Sequence, residues 1–532
     1  MQSKHQYLPY GATGSFSKII TDYLGAEKEL AEFYAYPVSL AGIQQAIEKR
    51  KLQPGNRELL VSVLKNQYAG ITLNQKQAIN LEALGHDNCF TITTAHQPNI
   101  FTGHLYFIYK ILHAIRLADQ LQQALPGNHF VPIFYMGSED ADLDELGHIY
   151  LAGEKYEWKT KQQGAVGRMK VDKELVKLID TISGQLTVYP FGQELVTLLK
   201  NCYVEGATIE QASFTLVNRL FAEYGLIVLL PDNAELKKEF IPVAEKELST
   251  NFSHAAVTST VSKLPATYKV QAAGREINLF YLRDDSRERI IKEDARFNIQ
   301  HSAYSFDNEE MRTELRQHPG RFSPNVILRP VFQEMILPNV AFIGGGGEIA
   351  YWLELKKVFE EAGVPFPVLI LRNSFMIVEK TTAAVAEKMG LEITGLFKPE
   401  EELMNDLVKR ETTVQLKLEK EKEELEKFYV HIKGVAGAID LTLQKHIEAL
   451  KAQAHKKIEA LEKKMLRAEK KKFEAQQRQL HKLKETLFPH GTLQERMDNL
   501  LPYYAKWGEA FIDMLYENSL GLEQEFCIIT ER

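Results

Sequence analysis

The chain has 532 residues, 45% of them hydrophobic and 25% charged, values that exclude global disorder and fibrous repeats. A net charge of −7 excludes a general polyanion-binding protein, so no nucleic-acid partner is expected. Three cysteines, Cys89, Cys202 and Cys527, make neither a disulfide framework nor a cysteine-rich metal site, which fits a reducing cytoplasm.

The opening MQSKHQYLPYGATGSFSKII has no apolar h-region and reads as non-secretory. No apolar run approaches ~20 residues, so no membrane span is expected. Residues 1–88 read as a mostly helical part packed on the core, with Pro54-Gly55 as a break. Residues 89–94 (CFTITT) read as a strand, 96–103 as a turn-rich connection, 105–125 as a helix and 130–136 (FVPIFYM) as a second strand. Strand, long helix and strand make a right-handed βαβ unit. Further strands are expected at 225–231, 340–343 and 368–371, with helices after the first two. The class is therefore α/β: a mostly parallel, Rossmann-like core over 89–399. Insertions at about 148–222 and 265–330 decorate it, the second with hairpin alternation around Asp284-Asp285-Ser286.

From 400 to 487 Lys, Glu, Gln and Leu dominate. Leu418, Leu425, Ile432 and Ile439 recur every seven residues, and Ile447, Leu450, Ala454, Ile458, Leu461, Met465 and Ala468 follow by threes and fours. This is the seam of a coiled-coil helical hairpin, which Gly434 and Gly437 are expected to close. A seam needs a partner, and homodimerisation through this segment is the expectation. Residues 488–532 return to globular composition and end in a strand at 525–530.

In open α/β sheets ligands collect at the carboxyl ends of strands, near the switch in strand order. Three strand ends are unusually polar. His96 and Gln97 leave the first strand toward a helix N-terminus that favours an anion, and His96 is placed to handle a proton. After the second strand comes GSEDADLDE, where Glu139 and Asp140 invite an amine or a magnesium–nucleotide. Asp140, Asp142 and Asp144 mimic a calcium loop, but Glu145 stands where glycine is needed and Leu151 where glutamate is needed, so no metal site is assigned. Asp142 to Glu145 read as helix N-terminal charge. The third end is Gly344-Gly345-Gly346-Gly347-Glu348, where bare backbone N–H groups can approach a ligand. It is neither a Walker loop nor a full dinucleotide fingerprint. Tyr351 and Trp352 on the following helix, and Arg329 after a strand-like 325–328, complete the candidate binding set.

The segments TAHQPNIFTGHLYFIYK, FYMGSEDADLDEL, SPNVILRPVFQEMILPNVAFIGGGGEIAYWLELKKVFE and LQERMDNLLPYYAKWGEAF together resemble the bacillithiol biosynthesis cysteine-adding enzyme family, BshC. The resemblance runs over essentially the whole chain. It implies a Rossmann-like core similar to nucleotidyltransferases, a dimerising C-terminal coiled coil, and a ligase that joins the carboxyl of cysteine to the amino group of glucosaminyl-malate. On that view the glycine loop and the helix after His96 hold a nucleotide phosphate or the malate carboxylates. Arg329 assists, and Glu139 and Asp140 orient and deprotonate the sugar amine. The activating group stays open, with ATP or another adenine nucleotide with magnesium as the candidate. Two other classes remain: a nucleotidyl-transfer enzyme with an unrelated acceptor, and a non-catalytic coiled-coil scaffold that binds a ligand.

Overall fold

The computed structural model describes residues 3–272 and 274–532. Five strands form the central sheet: β1 (Cys89–His96), β2 (His129–Met136), β3 (Ile227–Leu229), β4 (Asn339–Gly344) and β5 (Val368–Leu371). Their order is β5-β4-β1-β2-β3 and every pairing is parallel. The strands are short β-branched and aromatic runs buried on both faces, as a sheet covered by helices requires. Ile43, Ala46 and Ile47 of helix Leu40–Lys51 and Ala114, Leu117 and Leu121 of helix Leu105–Ala124 close over Phe90, Ile92, Val340 and Ile370 in one buried cluster.

The insertion over 265–330 forms a second, antiparallel sheet. Its hairpin pairs Leu279–Arg283 with Ser286–Glu293 around the two-residue turn Asp284-Asp285, as the alternation predicts. The insertion over 148–222 pairs His148–Leu151 with Glu154–Glu157 and then runs through three helices. A third sheet has the order Ser3–Pro9, Glu525–Glu531, Ser374–Val378. The chain therefore opens on a strand and not on a helix. SKHQYLP is too polar to show its pairing locally, because its partner lies at the far end of the chain.

The chain divides into two compact units: residues up to Ile377 with Thr492–Thr530, and Val378–Gly491. The second unit starts earlier than the composition change at 400. Helix Lys380–Lys388 and helix Glu400–Glu411, which buries Leu403, Met404, Leu407 and Val408, both pack on Glu474–Leu487. Its long hairpin joins Glu419–Ile439 to Leu443–Lys470, laced by Lys422–Glu462 at 2.8 Å and Lys433–Glu448 at 2.7 Å. Gly434 and Gly437 do not close it. Both lie inside the first helix, and the turn is Asp440-Leu441-Thr442, where the Asp440 carboxylate accepts from the Thr442 N–H at 2.8 Å. A methyl on Gly437 would meet only the Gln444 side chain, whose amide end lies 2.3 Å away and can swing aside. The heptad residues divide, with Leu425, Ile432, Ile447, Ile458 and Met465 half-buried while Ile439, Leu450 and Leu461 stay exposed.

At the amino end of β4, the buried Arg50 guanidinium donates to Asn339 O (2.9 Å), Glu334 O (2.8 Å) and Glu334 Oε2 (2.7 Å). Removing one partner of a buried ion pair leaves an uncompensated charge. Glu334→Ala should therefore cost about 3–5 kcal/mol of unfolding free energy. Urea denaturation checks this, and a loss below about 1 kcal/mol, the value of an exposed pair, would contradict it.

Candidate active site

Strand β1 leads through a helix to β2 on one side, and β4 leads to β5 on the other, yet β1 and β4 are neighbours. The crevice beyond their carboxyl ends is the switch point of the sheet, where a ligand meets no crossover connection. A cleft of about 670 Å³ opens there, within the size range of small-molecule sites. His96, Gln97, Glu139, Asp140, Arg329, Gly345, Gly346, Gly347, Glu348 and Tyr351 all line it.

Two expected residues do not. Trp352 is fully buried and stacks on Phe342, with ring centroids 4.3 Å apart. It sits one position beyond Tyr351 on helix Gly346–Leu353, which turns it from the cleft to the sheet. Gly344 is the last residue of β4, and a methyl on it would lie 2.8 Å from the Phe342 ring, so this glycine serves packing. The other three differ. None of them has positive φ, so backbone conformation does not demand glycine. A methyl on Gly347 would meet nothing within 4 Å, so the backbone there is open to close approach.

Arg329 also needs correction. Residues 325–328 are not a strand. The Asn325 side chain accepts from the Ile327 N–H at 2.9 Å, forming a turn that opens helix Arg329–Ile336. Arg329 still reaches the cleft. Its Nη1 donates to Gln333 Oε1 at 2.9 Å, and its guanidinium lies 5.4 Å from the Tyr135 ring centre.

The acids have partners that the sequence did not announce. Lys110, on helix Leu105–Ala124, is buried, donates to Ala95 O at 2.7 Å and forms an ion pair with Glu348. Glu348 also accepts the Gly345 N–H at 2.8 Å, which closes a capping box and commits that N–H. Lys237 pairs with Glu139 and stands 3.2 Å from Asp232, which Arg168 grips at 2.7 and 2.9 Å. Asp140 is more open: Gln97 Nε2 donates to it at 3.0 Å, and Arg287 Nη1 lies 3.7 Å away. Asp142 caps the one-turn helix Leu143–Leu146, accepting the Glu145 N–H at 3.2 Å, as its helix-capping reading predicts. Arg287, Arg372 and Arg496 join the cleft wall as well. A lysine inside the apolar run LYFIYKIL was a readable signal for Lys110, and the strand-end rule applied to β5 would have found Arg372. Arg287 carried no local signal. Among the described residues no group of three His, Cys, Asp or Glu is placed to hold a metal ion.

A model of the bacillithiol biosynthesis BshC N-terminal Rossmann-like domain matches residues 3–373, and a model of the BshC C-terminal coiled-coil domain matches residues 375–531. The chain belongs to the BshC family. A protein of Flavobacterium johnsoniae named "Putative cysteine ligase BshC" is 37% identical over 525 residues, covering 98% of this chain and 99% of that protein. One of the same name from Christiangramia forsetii is 37% identical over 530 residues, covering 98% of each. The Bacillus cereus protein of that name is 26% identical over 530 residues, covering 96% of this chain and 97% of its own. The family's Rossmann-like part thus carries the whole parallel sheet, with the cleft at its switch point.

The electrostatics separate the BshC cleft residues by task. The His96 ring sits behind Tyr106 and Phe107, and burial pushes its pKa down to about 4. It is neutral near pH 7. Its Nδ1 faces the Gln97 carbonyl at 3.0 Å and must carry the proton, so Nε2 accepts from the Tyr106 hydroxyl at 3.3 Å. Burial pushes the Glu348 carboxyl up, but the Lys110 ammonium outweighs it and the net shift is downward. For Glu139 burial prevails over Lys237, and its pKa is raised.

A folded-state value below the free one near 6.5 means that the unfolded chain takes the His96 proton first on acidification. The His96 contribution to stability is thus present above about 6.5 and drains as pH falls toward 4. Nitrogen-15 spectra of the imidazole should show the Nδ1–H tautomer and a midpoint near 4. A midpoint near 6.5, the value of a free imidazole, would contradict the burial described.

Proposed function

We propose that the chain joins the carboxyl of L-cysteine to the amino group of glucosaminyl-malate, the last step of bacillithiol biosynthesis, and that it does so in the cleft at the β1–β4 switch point. One observation carries the reading: an open glycine loop, arginines and an accessible carboxylate converge at that crevice in a member of this family. Amide formation needs an activated carboxyl and a deprotonated amine. When bound, ATP or another adenine nucleotide with magnesium supplies the activation. The loop over Gly345–Gly347 with Arg329 suits such a polyanion, or the malate carboxylates.

Asp140 is the general base of this scheme. It attracts the ammonium form of the sugar amine and takes one proton, the nitrogen lone pair attacks the carboxyl carbon, and the C–N bond forms as the activating group leaves with its electron pair and the second nitrogen proton passes to solvent. Glu139, held by Lys237, helps to orient the amine. Neutral His96 donates through Nδ1 and positions Tyr106 and Gln97 around the reacting groups. Purified protein with cysteine, glucosaminyl-malate and ATP should form bacillithiol. Asp140→Asn should lower turnover about 10²–10⁴-fold with an unchanged circular dichroism spectrum. Turnover close to normal in this variant would remove the general-base role. No ligation by the unmodified protein with any nucleotide would leave the nucleotidyl-transfer and scaffold readings.

A homodimer through the helical hairpin and a cytoplasmic location belong to the same proposal. A two-helix hairpin buries one apolar stripe, and here Phe428, Leu450 and Leu461 remain 57%, 37% and 48% exposed, a face that a second copy would cover. Three free, buried cysteines suit a reducing compartment, and among the described residues no helix is long and apolar enough to cross a membrane. Light scattering should give twice the chain mass at micromolar concentration, and replacing Leu450 and Leu461 with Asp should halve it. A monomeric unmodified chain would refute the dimer.

A further inference from the structure

Arg372 directly follows β5, and Glu495 and Arg496 come from the segment that returns after the helical unit. Arg372 and Glu495 meet fork to fork: Nη1 to Oε2 at 2.9 Å and Nη2 to Oε1 at 2.6 Å. Their side chains are 4% and 0% exposed. Nη1 also donates to Ser374 Oγ at 2.9 Å and to Asn373 O at 3.0 Å. Each terminal nitrogen thus donates to one oxygen of the buried Glu495 carboxylate.

The third nitrogen, Nε, lies by the glycine loop: a methyl built on Gly345 would sit 3.6 Å from it and 3.5 Å from Glu348 Oε2. Arg372 lines the cleft beside the glycine loop, and its guanidinium carbon lies 5.4 Å from the centre of the Tyr106 ring. The Glu495 carboxylate balances the charge of Arg372, so what the pair offers a ligand is direction more than net attraction.

We infer that Glu495 is a positioning residue for anion binding: it clamps both terminal nitrogens of Arg372 and thereby holds the Nε–H as a donor beside the backbone N–H groups of Gly346 and Gly347, the Gly345 N–H being taken by Glu348. A lysine could not replace Arg372, because a single ammonium cannot serve the clamp and the loop at once. The segment after the helical unit is on this account part of the site. The inference rests on the anion-binding reading of the glycine loop.

The test uses the full chain and inorganic pyrophosphate as probe, with titration calorimetry for affinity and a thermal midpoint for every variant. The unmodified protein should bind pyrophosphate. Glu495→Gln should weaken that binding about tenfold, the equivalent of one well-placed charged hydrogen bond, and Glu495→Asp should recover part of it. In the ligation assay the nucleotide KM should rise with kcat largely kept. Breaking a buried pair also lowers stability, so the Arg372→Gln/Glu495→Gln double variant, which leaves no charge unpaired, supplies a second arm. If Glu495 acts through Arg372, the double variant binds pyrophosphate no more weakly than Arg372→Gln alone. A Glu495→Gln protein that melts lower yet binds like the unmodified chain makes the pair structural and overturns the inference. So does a double variant weaker than Arg372→Gln alone. An unmodified chain that ignores pyrophosphate overturns the anion reading, and the inference with it.

Discussion

The buried ammonium of Lys110 ties the two halves of the sheet together at its switch point. It donates to Ala95 O near the end of β1 and pairs with Glu348 in the first turn after β4. These are the two strands whose connections depart to opposite sides, so the crevice between them has no covalent bridge nearby. A charge pair out of water is held only where both partners and their remaining hydrogen bonds are in place, and losing one costs about 3–5 kcal/mol. Glu348 uses its second contact, the Gly345 N–H, to set the glycine loop. One interaction thus decides both how the strands end and how the backbone donors beside them are presented.

The rest of the cleft is held from far away. The connection after His96 contains two strained non-glycine residues, Phe101 at φ 49° and Thr102 at φ 71°. Such conformations persist only where the surroundings over-determine them. Here the Tyr203 hydroxyl accepts the Phe101 N–H at 2.9 Å, and Asn499 Nδ2 donates to the Phe101 carbonyl at 2.9 Å. One partner comes from an insertion and the other from the returning C-terminal segment. Arg287 reaches the cleft from the antiparallel sheet, stacked 4.0 Å over Phe280. Decorations of the sheet therefore work as supports of the site.

Charge in the cleft is arranged as local pairs: Lys110 with Glu348, Lys237 with Glu139, Arg168 with Asp232, Arg372 with Glu495. Each pair joins different elements, which fixes geometry around the cleft. Asp140, held by Gln97 and with Arg287 3.7 Å away, keeps 38% of its side chain exposed.

The five core strands, the glycine loop and the polar ends at His96–Gln97 and Glu139–Asp140 were legible in the sequence. Short β-branched runs alternating with helical periodicity dictate a parallel sheet, and a parallel sheet collects ligands at its carboxyl ends. The heptad spacing likewise announced paired helices. Local pattern could not show that Ser3–Pro9 is a strand, that Gly344 serves packing, that Trp352 turns inward or that Arg329 opens a helix. Nor could it show which cation meets which acid. Periodicity records only what lies within a few residues along the chain, whereas Lys237 and Glu139, or Arg372 and Glu495, become neighbours only when sheet order and helix packing bring distant segments together. The sequence by itself thus determined the fold class and the end of the sheet at which chemistry can occur. The tertiary structure alone decided which side chains face that chemistry, because burial of charge is permitted only where the fold supplies a partner.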